Sequence, residues 1–167
     1  GDALDYALDS LDIASPELAV EKLSEAAHKE RNHRYSASRG IPNLRLAITD
    51  LYRRSWGVEL DPETEAITTI GAKEGLCHLC WVLLGPGDEC VFAWPSFAMY
   101  PIVVQGMGAR SVRVPLDAEL VHDLPALARA VTPRTKLLFV CNPNNPTGTS
   151  VGAEAFDHFV ASLPPTL

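Results

Sequence analysis

The chain alternates short apolar runs with segments whose apolar residues recur at helical spacing. Leu137-Leu138-Phe139-Val140-Cys141 is five consecutive apolar residues, the pattern of a strand buried on both faces. Cys90-Val91-Phe92-Ala93, Ser111-Val112-Arg113-Val114 and Ile67-Thr68-Thr69-Ile70 also read as strands. Between them lie helical stretches. Residues 44, 47, 48, 51, 52 and 56 are apolar and fall on one face of a helix. The pattern predicts helices over 16–29, 43–56, 73–84, 97–106, 123–130 and 152–161, and strands over 66–70, 89–93, 110–115 and 136–141. Ser15 before Pro16 offers a hydroxyl cap and a first-turn proline for the first helix. Strands separated by helices of about ten residues imply an α/β fold, a three-layer αβα arrangement with a mostly parallel sheet.

The punctuation carries more than the periodicity. Asn142-Pro143-Asn144-Asn145-Pro146-Thr147-Gly148 follows the apolar run directly. Each proline removes a backbone donor, fixes φ and pushes its predecessor out of the helical region. A rigid loop results at the carboxyl end of a strand, where open α/β sheets place their ligands. Asn144 and Asn145 offer amide donors and acceptors on that stiff support. Gly71-Ala72-Lys73-Glu74-Gly75 joins a strand-like run to a helical one, so backbone N–H groups at a helix start are available to an anion.

These segments carry a resemblance. Asn-Pro-x-Asn-Pro-Thr-Gly, standing here as 142–148, resembles the motif of fold type I, class I/II aminotransferases dependent on pyridoxal phosphate. The resemblance implies that Asn145 hydrogen-bonds the phenolic oxygen of the cofactor, favouring its charged form. It puts the cofactor phosphate on the backbone of Ala72 and Lys73. In Trp94-Pro95-Ser96-Phe97-Ala98-Met99-Tyr100 it assigns Phe97 to stacking on the pyridine, a contact worth roughly 0.5–1.5 kcal/mol; Trp94 and Tyr100 remain packing or wall residues. In the stretch 32–45 it assigns Tyr35 to the phosphate of a neighbouring subunit, which implies a homodimer. Residues 33–87 are most similar to the alanine and diaminopimelate branch, and 91–163 to the histidinol-phosphate branch.

The resemblance also sets expectations about what the chain holds. Residues 1–40 would be an arm or small-domain segment, and 41–167 the amino-terminal part of the cofactor-binding large domain. Asp9, Ser10 and Leu11 stand where the family has a glycine and Asn-Pro beside the substrate carboxylate, and an aspartate there would repel that group. The pyridine-nitrogen aspartate, the lysine that holds the cofactor covalently and the carboxylate arginine all follow the Asn-Pro loop in the family. None of Lys22, Lys29, Lys73 or Lys136 matches that lysine, so no catalytic residue is assigned within this sequence and the large domain is expected to be incomplete. The implied activity is transfer of an amino group between an amino acid and a 2-oxo acid. The alternatives are another reaction on the same fold, such as a lyase or decarboxylase, a ligand-sensing regulator, or an inactive truncated product.

Charge and composition narrow the partners. Net charge is −7 over 167 residues, which disfavours nucleic acid and anionic membrane. No eighteen-residue apolar run or secretory start is present, and the default compartment is the cytoplasm. Cys77-His78-Leu79-Cys80 has the two-residue gap of a metal or redox pair. It falls inside a predicted apolar helix, so buried structural thiols are the better reading and no metal is assigned. Gly106-Met107-Gly108 follows a helix and precedes a strand, the reverse of a dinucleotide loop, and reads as a helix C-cap.

Overall fold

The structure, a computed structural model, describes residues 13–165 and Leu167. The stretch 5–12, with Asp9, Ser10 and Leu11, lies outside the described residues. The described residues fall into two compact units, one ending at Thr68 and the other beginning at Thr69.

The first unit holds α1 (Glu17–Ala27), a 3-10 turn at Glu30–Asn32 and α2 (Pro42–Trp56). Pro16 itself is the N-cap of α1, so the expected Ser15 hydroxyl cap is not made. A proline fits this end because its missing N–H lies where a helix has no acceptor for it. In α2 the residues turned inward are Arg45 and Thr49, while Leu44, Leu51, Tyr52 and Trp56 are exposed. Arg45 explains the inversion. Its guanidinium donates to the Gly40 carbonyl at 2.6 Å, the Pro62 carbonyl at 2.8 Å and the Glu63 carboxylate at 2.7 Å. Three backbone and side-chain acceptors in one planar fork fasten α2 to the loops on either side of it. Gly40 sits at φ +85°, and a Cβ there would fall 2.0 Å from Thr68 Oγ1.

The predicted strand over 66–70 does not form. These residues enter no β-ladder among the described residues, and Ile67 and Ile70 are exposed. β-branched residues favour extended backbone, but a strand also needs a neighbour whose N–H and C=O groups complete its ladder.

The second unit begins with α3 (Gly71–Leu83) and continues β1 (Glu89–Trp94), α4 (Met99–Gly106), β2 (Arg110–Pro115), α5 (Leu124–Ala130), β3 (Thr135–Phe139) and α6 (Ala153–Ser162). All three strands are parallel, in the order β2-β1-β3, with Val91 opposite Val112 and Leu138. β1 is the central strand and is buried over its first five residues. Cys90 and Phe92 point to one face, where Cys80 and Leu84 meet Tyr100, Val103 and Val104. Val91 and Ala93 point to the other, where Leu124, Leu127 and Phe159 cover them. Alternation along β1 therefore builds two cores with helices on both sides. Burial of each large side chain such as Phe92 contributes on the order of 1.5–3 kcal/mol.

β3 differs from the sequence reading. Its apolar run was predicted to be buried on both faces, but Leu137, Leu138 and Phe139 are half-buried. β3 pairs only with β1 and so stands at the edge of the sheet among the described residues. Below the strands, Glu89, 1% exposed, ties their starts together. Its carboxylate accepts from Thr132 Oγ1 at 2.6 Å, Arg134 Nη2 at 2.8 Å and Arg110 Nη1 at 3.1 Å. The Gly106–Gly108 turn behaves as a C-cap. Gly108 has φ +73°, and the Ala109 N–H returns to the Val104 carbonyl at 3.3 Å.

Candidate functional site

Sheet order locates a crevice. β1 leads through α4 to β2 on one side, and the chain then returns through α5 to β3 on the other side of β1. Parallel strands with that reversal part their loops at the carboxyl ends of β1 and β3, where ligands bind in open α/β sheets. α3 is joined to β1 by the short loop 84–88 and packs against the face of β1 that carries Cys90 and Phe92. Leu76 and Cys77, in the middle of α3, pack against the cluster that also holds Phe97 and Cys141.

Two loops build the crevice, and Asn144 joins them. Asn144 is 2% exposed. Ser96 Oγ donates to its Oδ1 at 2.7 Å, and its Nδ2 donates to the Pro95 carbonyl at 3.2 Å and to Thr147 Oγ1 at 2.8 Å. Its backbone N–H donates to the Thr149 carbonyl at 2.8 Å, and its carbonyl accepts from Gly148 at 2.7 Å. Asn142 is also engaged. It pairs with the Val151 backbone, Nδ2 to the carbonyl at 3.2 Å and Oδ1 from the N–H at 3.0 Å. Thr149 Oγ1 donates to the Leu120 carbonyl at 2.6 Å and shares a hydrogen bond with Thr147 Oγ1 at 2.7 Å.

By residue type Asn144 and Asn145 are alike, the resemblance singles out Asn145, and in the structure their side chains differ. Asn144 is consumed in the scaffold. Asn145 is exposed, and its side chain makes no hydrogen bond among the described residues. Only its backbone N–H is held, by Cys141 Sγ at 3.4 Å.

Phe97 is half-buried at the carboxyl end of β1, edge-on to Tyr100 with ring centroids 5.7 Å apart. Tyr100 stacks in turn on Phe139, centroids 4.7 Å apart. Burial first, and the neighbouring Cys141 thiol second, raise the Tyr100 phenol above its ordinary pKa, so it stays neutral. Trp94 carries the Arg113 guanidinium 4.9 Å over its ring, a cation–π contact between neighbouring strands.

At the start of α3, Ala72 and Lys73 are exposed. Glu74 reaches back to the Ile70 N–H and satisfies it. The Ala72 and Lys73 amides belong to the first turn, where helix N–H groups have no intrahelical acceptor and the positive end of the dipole lies. Tyr35 belongs to the first unit, where it is fully exposed. Phe97 follows β1, Asn145 follows β3, and the Ala72 and Lys73 amides open α3, all three within the second unit.

Sequence reasoning missed Ser96, Cys141 and His122. Buried His122 donates from Nε2 to the Cys141 carbonyl at 2.9 Å, and its Nδ1 has no partner among the described residues. Ser96 and His122 lie 48 and 19 residues from the groups they bond, too far for a local pattern to mark the pairing. Among the described residues no cluster of His, Cys, Asp and Glu is placed to hold a metal. Cys80 and Cys90 are fully buried, and burial raises both thiols, Cys90 to about 12.

A parallel sheet with this reversal and an Asn-Pro loop after one of its strands is the arrangement of a ligand-binding α/β domain. Comparison with known proteins makes it specific: the chain belongs to the aminotransferase class I and II family, whose model matches residues 4–162. It is 40% identical over 162 residues to the glutamate-pyruvate aminotransferase AlaC of Escherichia coli, covering 96% of this chain and 39% of the relative. It is 35% identical to an LL-diaminopimelate aminotransferase of Dehalococcoides mccartyi, covering 93% and 40%. Among solved structures, a tetra mutant of Thermus thermophilus aspartate aminotransferase superposes with a TM-score of 0.84 at 35% identity, covering 90% of this chain and 42% of that one. The N-succinyldiaminopimelate aminotransferase of Mycobacterium tuberculosis gives 0.82 at 36%, covering 90% and 41%. The chain therefore spans about 40% of the length of the relatives it matches.

Proposed function

We propose that this chain is the cofactor-cradling part of an aminotransferase that moves an amino group between an amino acid and a 2-oxo acid through pyridoxal 5'-phosphate. The observation that carries the reading is Asn145. In a loop whose other two asparagines are fully engaged, its exposed amide is left for a ligand. The donor set suits a phosphorylated, hydroxylated pyridine. Backbone amides at a helix start match a phosphate, a flat apolar ring matches an aromatic face, and an amide N–H matches a phenolate oxygen.

The roles follow from chemistry. The Ala72 and Lys73 amides hold the phosphate at the positive end of α3. Phe97 covers one face of the ring and keeps water from it. Asn145 donates to the phenolic oxygen and favours its charged form. When bound, the cofactor supplies a ring that accepts the electron pair released as a bond at the amino acid α-carbon breaks. Residues 41–167 are assigned to the large domain and 1–40 to an arm or small-domain segment.

The reading extends to a homodimer, because fully exposed Tyr35 is available to the phosphate of a second subunit. No helix among the described residues is long and apolar enough to cross a membrane, and the four cysteines are free. Free thiols suit a reducing compartment, and a cytoplasmic location is part of the reading.

The test is absorbance of the chain titrated with pyridoxal 5'-phosphate, then with amino acid, with and without 2-oxo acid. Saturable binding with a spectrum altered by Asn145→Ala supports the cradle. A spectral change on adding amino acid that 2-oxo acid reverses supports amino transfer, and one that 2-oxo acid leaves unaltered would point instead to a lyase or decarboxylase. Absence of any saturable site would overturn the reading.

A further inference from the structure

We propose that Cys141 is a positioning residue for Asn145: its thiol bridges the two Asn-Pro steps and fixes the backbone from which the Asn145 amide reaches a ligand. Donor accounting motivates it. Pro143 and Pro146 have no N–H, so between them only Asn144 and Asn145 carry backbone donors. The Asn144 donor is taken by the Thr149 carbonyl at 2.8 Å. The Asn145 donor goes to Cys141 Sγ at 3.4 Å, and the same thiol donates to the Pro143 carbonyl at 3.5 Å. One side chain thus acts as acceptor and donor across the turn, a pairing that an aliphatic residue of the same size cannot supply.

Cys141 is itself held from outside the loop. Its carbonyl accepts from His122 Nε2 at 2.9 Å, and its side chain packs against the cluster that holds Tyr100. Tyr100 is anchored by its stack on Phe139. The Asn145 backbone is therefore referenced through Cys141 to the end of β3 and to the segment before α5. Sulfur hydrogen bonds are weak, so the contribution lies in orientation and not in overall stability.

The role rests on Asn145 facing the cofactor, but the geometry can be tested without cofactor, so either can fail alone. The experiment is NMR on the chain and its Cys141→Val, Cys141→Ala and Cys141→Ser variants. It reads water exchange of the Asn145 amide and the couplings that report its χ1. We expect exchange about 2- to 3-fold faster in the Val and Ala variants, as for loss of a hydrogen bond at the weak end of the usual range, with χ1 averaged. Val91 and Phe92 amides stay unchanged. Serine keeps a donor and an acceptor and restores a single rotamer. A single χ1 and unchanged exchange in Cys141→Val would overturn the proposal. So would loss of protection throughout β1 in both the Val and Ala variants, which would assign the thiol to core packing.

Discussion

Replacing Asn144 with alanine severs the tie between the loops that follow β1 and β3. Three side-chain hydrogen bonds go at once, those with Ser96 at 2.7 Å, Pro95 at 3.2 Å and Thr147 at 2.8 Å. Each is worth about 1 kcal/mol net, and the buried Ser96 hydroxyl is also left unpaired. The longest of the three contributes least, so the expected cost is about 3 kcal/mol for the second unit. That is a large part of the roughly 5–15 kcal/mol that stabilises a domain. Urea unfolding followed at the Val91 and Phe92 amides reports on this unit alone. With a slope of about 1–3 kcal/mol per molar urea, the midpoint should fall by about 1–3 M. A double-mutant cycle with Ser96→Ala should recover a coupling of about 1 kcal/mol. A loss below about 1 kcal/mol, or additive single mutants, would refute the view that Asn144 is a structural clamp.

Other consequences are independent of that one. Gly40→Ala should destabilise the first unit by about 2 kcal/mol or more, read by thermal unfolding, because a Cβ at φ +85° meets Thr68 Oγ1 at 2.0 Å. Glu89 has a carboxyl pKa held below its ordinary value by the Thr132 hydroxyl first and Arg134 second. A carboxyl depressed in the folded state adds stability that is complete above its unfolded pKa and is lost as pH falls through the folded value. Glu89→Gln should therefore cost about 1–2 kcal/mol at pH 7, discounted for the exposed arginines, and should flatten the acid limb of stability against pH. Native-state titration with a thiol reagent should modify half-buried Cys77 and Cys141 first. Cys90, raised by burial to about 12, should react only after unfolding.

Much of the second unit was legible because each of its elements carries its own signal. The run of apolar residues in β1, the helical spacing of α3 and α5, and the turn glycine at Gly108 all act locally, and the structure follows them closely. What failed depended on partners. Residues 66–70 have strand composition without a ladder to join, and α2 turns Arg45 inward because acceptors from the loops before and after α2 converge on it. β3 has the composition of a central strand and the exposure of an edge. At the site, the Asn-Pro motif marked the loop and its resemblance singled out Asn145, but the clamp role of Asn144 was not legible. That role is decided by Ser96 and Pro95, which lie 48 and 49 residues from Asn144, and no local pattern announces it.

The most direct test of the central claim is an NMR titration of the chain with pyridoxamine 5'-phosphate, which has no carbonyl to condense with surface lysines. The account requires saturable shifts at the Ala72 and Lys73 amides and at the Asn145 side-chain NH2, with the Asn145 response abolished by Asn145→Ala and the amide responses retained. Shifts no larger than those given by inorganic phosphate, or spread over unrelated basic residues such as Lys136, would contradict it.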